Sequence, residues 1–142
     1  MLGSHCIKTW SSTQDVRALS SGEAEFYALV KCSAQCLGIR SLLRDLGTDL
    51  KIHLKTDASA AIGIGMRRGL GTTRHIETSQ LWIQDLVYDG RVTLEKIDGK
   101  TNWADGLTKP VGQDMLGLHV KGVGLQLRRD RHELNPAMAG QT

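Results

Sequence analysis

Apolar and polar positions along the chain fall into short periodic blocks, separated by polar or glycine-containing connections. Cys6-Ile-Lys-Thr-Trp-Ser11 alternates in polarity and predicts a short strand, followed by a polar connection over 11–15. The next block is the clearest. Ser20 or Ser21 can cap a helix, and Glu23 stands three residues after Ser20, the spacing of a capping box. Apart from Gly38, which costs about 1 kcal/mol relative to alanine, nothing interrupts the block before Gly47, a natural terminator. Ala28, Cys32, Gln35, Ile39, Leu42 and Leu46 advance by alternating steps of four and three, which predicts one apolar face on a helix of roughly 25 residues. Glu25 shares that face, three residues before Ala28. Glu23 lies about 200° around the axis, where it suits the cap or solvent. A carboxylate aimed at a packing surface needs a reason, because an unpaired buried charge is expensive.

A second strand is expected over 50–56, where Ile52 and Leu54 alternate with His53 and Lys55, and Asp57 stands at its end. A short helix is expected from Ala58 to Met66. Arg67 to Thr73 reads as a basic, glycine-containing loop, and a further helix is expected over 74–88. Asp89-Gly90 is a turn signal. Residues 91–97 alternate as a third strand, and 102–107 can form a short helix before Pro110. Strand, long helix, strand, helices, strand and short helix make an α/β layering. Past residue 116 the text becomes rich in glycine and then in arginine, so 1–116 is expected to be one domain and 117–142 a weakly ordered basic tail or one marginal helix.

At 142 residues the chain has the size of one domain with a sizeable core. Its net charge of +3 permits nucleic-acid binding without arguing for it. Cys6, Cys32 and Cys36 cannot form complete disulfide pairs. Cys32 and Cys36, four apart on the long helix, read either as small buried hydrophobes or as a metal pair. No apolar run approaches the roughly 18 residues of a membrane span and no signal-peptide pattern opens the chain, so a reduced, intracellular setting without a membrane is expected.

The chemistry rests on particular carboxylates. Asp57 ends a strand, Glu25 begins a helix, and Asp105 follows another strand; in open α/β sheets such positions gather at one end. Each could also be an ordinary cap or surface acid. Should the three converge, divalent ions would relieve their repulsion, with Mg²⁺ the natural choice among oxygen ligands. Two such ions about 4 Å apart can activate water and stabilise a leaving oxygen.

The wording around these acids carries a resemblance. Ala18-Leu-Ser-Ser-Gly-Glu-Ala-Glu25-Phe-Tyr-Ala-Leu29 resembles the helix-opening motif of the ribonuclease H domain in copia-type retrotransposon polyproteins. Thr56-Asp57-Ala-Ser-Ala-Ala-Ile62, Thr72-Thr-Arg-His-Ile-Glu77 and Asn102-Trp-Ala-Asp105-Gly-Leu-Thr-Lys-Pro110 are similar to later segments of that family in the same order. The likeness covers roughly residues 2–116. It implies a ribonuclease H-like three-layer fold with a mixed sheet, and cleavage of the RNA strand of an RNA–DNA hybrid by paired Mg²⁺ ions, with Mn²⁺ a possible substitute. The catalytic, metal-holding acids would be Glu25, Asp57 and Asp105. The implied partners are the hybrid and the reverse transcriptase domain of a parent polyprotein, in a cytoplasmic particle or the nucleus.

The departure from the pattern matters equally. The family's first acid lies on a strand upstream of the long helix, and no acid precedes Asp15 here, so the chain resembles a domain lacking its first strand. Catalysis is therefore uncertain, and the alternative is a non-catalytic nucleic-acid-binding or protein-interaction fragment. Hybrid binding would draw on Arg67, Arg68, Arg74, His75 and Lys109. Arg67 and Arg68 can equally be solvated loop charges, and His75 can be structural. Trp10, Trp82 and Trp103 suit core or sheet-flanking positions better than stacking platforms.

Overall fold

The computed structural model describes residues 1–14, 16–71, 76–108 and 110–125. They fall into two compact units, 12–102 and a smaller one made from Met1–Ser11 with the chain from Trp103 onward.

The larger unit is built on helix α1 (Ser21–Asp45) and strand β1 (Ile52–Thr56), followed by helix α2 (Ser59–Met66), helix α3 (Trp82–Tyr88) and strand β2 (Val92–Lys96). The α1 start follows from its capping residue: the Ser20 hydroxyl accepts from the Glu23 N–H. Its end follows from Gly47, which takes φ = 86° while the Thr48 N–H closes onto the Leu43 carbonyl at 2.8 Å. The exposed Arg40–Asp49 pair, with contacts of 2.7 and 2.9 Å, ties the last turns of α1 to the connection leading into β1.

The two strands pair in parallel, with Leu54 opposite Leu94 and Lys55 opposite Glu95. Ile52, Leu54 and Thr56 are buried and the intervening His53 and Lys55 are exposed. One sheet face therefore packs against the helices. The other carries polar cross-strand pairs: His53 Nδ1 with Thr93 Oγ1 at 2.7 Å, and Lys55 with Glu95 at 3.3 Å. The core gathers Phe26, Val30, Leu54, Ala61, Ile64, Ile83, Leu86 and Val92. A sheet with one polar face and two strands makes this a small α/β unit. Among the described residues it is parallel, not mixed.

Two expectations need correction. Residues 6–11 form no strand; the N-terminal segment has only an isolated bridge between Leu2 and His5. Alternating polarity alone did not make a strand where no partner strand takes up its backbone groups. The apolar face of α1 is also rotated from the expected one. Ala28, Leu42 and Leu46 are exposed, while Phe26, Val30 and Ser33 are buried and Leu37 packs beside them. That register runs two residues earlier, and Phe26 and Tyr27 decide it because an aromatic ring buries far more surface than Ala28 can.

The remaining elements differ from expectation in extent. The region expected as one helix over 74–88 contains a 3-10 turn (Thr78–Gln80) and then α3, and its first residues lie outside the described ones. In the smaller unit, a 3-10 helix (Trp103–Leu107) and helix α4 (Gln113–Gly122) pack through Trp103 and His119, whose rings meet edge-on at 5.6 Å. Gly106 and Gly122 make that contact possible, since a Cβ at either would overlap the imidazole or the indole. Helix α4 runs across position 116, and residues 126–142 lie outside the described ones. Of the other tryptophans, Trp82 is packed against the core and Trp10 is exposed, with Lys8 Nζ 5.6 Å from its ring. No helix among the described residues is long and apolar enough to cross a membrane.

Candidate functional site

Glu25 and Asp57 line one open cleft of about 290 Å³. Its walls are the first turn of α1, with Ser21 and Gly22, and residues 58–60 where β1 passes into α2. Gly22 sets this approach: a Cβ there would stand 2.7 Å from the Cβ of Ala60, so only glycine lets the two helix starts come so close. The exposed N–H groups and dipoles of both helix starts favour negative charge. Asp57 has a further support, because Asn102 Nδ2 donates to its Oδ1 at 3.3 Å. Gly99 packs on the other oxygen, where a Cβ would lie 3.3 Å from Oδ2.

The burial expected of the two glutamates on α1 is reversed. Glu23, not Glu25, is the buried acid, only 1% exposed. Its carboxylate accepts from the Leu19 N–H at 2.8 Å and the Tyr27 hydroxyl at 2.9 Å, which settles its burial cost. Burial, and then the bond to Glu23, pushes the Tyr27 hydroxyl up to about 12. Glu25 is exposed and faces the cleft. Asp105 lies half-buried in the 3-10 helix of the smaller unit, where its carbonyl accepts from the Thr108 N–H.

Among the described residues, no group of three or more His, Cys, Asp or Glu side chains is placed to hold a metal ion. A single Mg²⁺ can be held by one or two carboxylates with waters and phosphate oxygens, so the cleft has enough donors for one such ion only with that help. A paired-ion centre needs a larger acidic set, and the described residues do not fit it.

The basic candidates separate. Arg67 spends its guanidinium on its own loop, donating to the Leu70 carbonyl at 2.6 Å. Arg68 is exposed, with its guanidinium 3.8 Å from the ring centroid of Tyr88. Arg74, His75 and Lys109 lie outside the described residues, as does Asp15. Cys6, Cys32 and Cys36 are free thiols. A hydrogen bond from Cys32 lowers the Cys36 thiol to about 7, and the same bond raises that of Cys32. Asn102 was marked in the sequence only by its place in the 102–110 segment, which does not point to Asp57. Glu23 was marked by its capping-box spacing, which points to the helix start but not to Tyr27.

An acidic cleft at the C-terminal end of a parallel strand, walled by two helix starts, is a common placement for function in α/β proteins. The chain is a distant, low-identity homologue of a retrotransposon Pol polyprotein. It is 30% identical over 121 residues to the retrovirus-related Pol polyprotein from transposon TNT 1-94 of Nicotiana tabacum. The match covers 84% of this chain and 9% of that polyprotein, so the chain spans a small part of the relative's length. No protein-family model matches the chain, and no solved structure does.

Proposed function

We propose that the chain is a non-catalytic nucleic-acid-binding fragment derived from the ribonuclease H domain of a copia-type Pol polyprotein, with RNA–DNA hybrid as its ligand. The observation that carries this reading is the cleft itself. It presents Glu25 and Asp57, and the described residues do not add the further ligands that paired-ion hydrolysis would use. Asn102 steadies Asp57 beside the start of α2, so the cleft can persist as a relic of the ancestral site. The distant similarity to a Pol polyprotein supports the ancestry. The exposed Arg68 supports contact with a phosphate backbone, which gives affinity without base specificity. A reverse transcriptase domain is the natural protein neighbour in this reading.

The test is incubation of the full chain with end-labelled RNA–DNA hybrid in Mg²⁺ or Mn²⁺, beside the Asp57→Asn variant. The expected result is intact hybrid retained at low salt and released as salt rises. Cleavage by the wild-type chain that Asp57→Asn abolishes would overturn the non-catalytic part. Failure to retain hybrid at low salt would overturn the binding part.

A further inference from the structure

We propose that Arg68, stacked on Tyr88, is a seat for one unpaired nucleobase at the end of a bound hybrid; this rests on the nucleic-acid-binding reading above. Tyr88 ends α3 and is 68% exposed, and the Arg68 guanidinium lies 3.8 Å from its ring centroid. A planar cation stacked on one aromatic ring leaves its second face and its N–H edges available. A base can stack on that face while the edges reach a neighbouring phosphate. Among the described residues Arg68 forms no ion pair, so no carboxylate neutralises those edges.

The loop beneath the pair is held in place. Gly69 takes φ = 78°, a conformation that suits glycine. Gln84 is 5% exposed and spends its whole amide on this turn: Oε1 accepts from the Gly69 N–H at 2.8 Å, and Nε2 donates to the carbonyls of Ile64 at 2.8 Å and Gly69 at 3.1 Å. Arg67 braces the other side through the Leu70 carbonyl. The residues on either side of Arg68 are pinned, while its own side chain takes no part in the bracing. A base inside a duplex is already stacked on its neighbours, so the seat selects an unpaired nucleotide.

The experiment compares a blunt RNA–DNA hybrid with the same hybrid carrying a short single-stranded overhang. In the wild-type chain the overhang should tighten binding roughly tenfold, within the range of one stacked base. Tyr88→Ala and Arg68→Ala should each remove that advantage, with circular dichroism unchanged because both side chains are exposed. Arg68→Lys keeps a charge but not the planar face, so the ratio of overhang to blunt affinity should fall to about one, whatever the change in blunt-hybrid affinity itself. Equal affinity for both ligands in the wild type overturns the proposal, as does an advantage that survives Tyr88→Ala and Arg68→Ala; either leaves general binding standing. Absence of binding to every nucleic acid overturns both readings.

Discussion

Replacing Glu23 should damage the fold, and replacing Glu25 should not. Glu23 is 1% exposed and takes hydrogen bonds from the Leu19 N–H and the Tyr27 hydroxyl, at 2.8 and 2.9 Å. In Glu23→Ala both donors lose an acceptor. The Tyr27 hydroxyl is buried and the Leu19 N–H partly so, and each orphaned group costs about 1–3 kcal/mol, less where water can reach it. A loss near 3 kcal/mol follows, before any penalty for the space left behind. For a chain of this size, a Tm fall of about 10 °C is expected. Glu23→Gln keeps one oxygen but turns an amide donor toward one of two existing donors, so it should fall between wild type and alanine. Glu25 is exposed, and Glu25→Ala should stay within about 0.5 kcal/mol. Urea unfolding followed by circular dichroism measures all three, with coincident fluorescence transitions as the check on two-state behaviour. If Glu25→Ala proves as destabilising as Glu23→Ala, the orientation assigned to α1 is wrong.

The approach of the helix starts gives a second test. Gly22→Ala places a methyl 2.7 Å from the Ala60 Cβ, so it should destabilise by about 1–3 kcal/mol, and Ala60→Gly should recover part of that loss in a double-mutant cycle. Additive effects would show that the contact does not hold the cleft. A third test uses pH. An ordinary tyrosine loses its proton near 10.0, whereas Tyr27 in the folded chain keeps it to about 12. The raised value means that this contribution to stability is complete below pH 10 and is lost as pH climbs towards 12. Urea midpoints should therefore fall more steeply over that window in wild type than in Tyr27→Phe; parallel profiles would remove the Glu23–Tyr27 bond from the account.

Much of the architecture was legible because local signals and tertiary packing agree. Ser20, Glu23 and Gly47 bracket α1 as capping chemistry requires, and the alternation around Ile52–Leu54 and over 91–97 marks two real strands. The phase of α1 was not legible in the same way. Two apolar registers run along this helix, one through Ala28, Cys32, Gln35 and Ile39, the other through Phe26, Val30, Ser33 and Leu37. They differ by two residues, or about 200°, and step counting treats them alike. Buried area separates them. Phe26 reaches complete burial and Ala28 stays exposed, so the second register faces the sheet. The strand expected over 6–11 failed for a different reason, since alternation signals a strand only where another strand accepts its hydrogen bonds.

The same phase governs the chemistry of the cleft. With Phe26 inward, Glu23 turns in and meets Tyr27, which leaves Glu25 on the side of α1 that borders Asp57. Motif resemblance selected Glu25 from wording; periodicity selected it by assuming that the catalytic acid shares the apolar face. The second reason fails, because Glu25 is exposed and the packing face carries Glu23. A carboxylate meant to meet a ligand needs access to solvent, whereas one on the packing face must be consumed by hydrogen bonds, as Glu23 is. Asp57 sits between these limits, half-buried, with one oxygen steadied by Asn102 and with two helix starts nearby. Glu25 and Asp57 thus share a cleft under different constraints, and binding and cleavage have to be tested as separate properties of this chain.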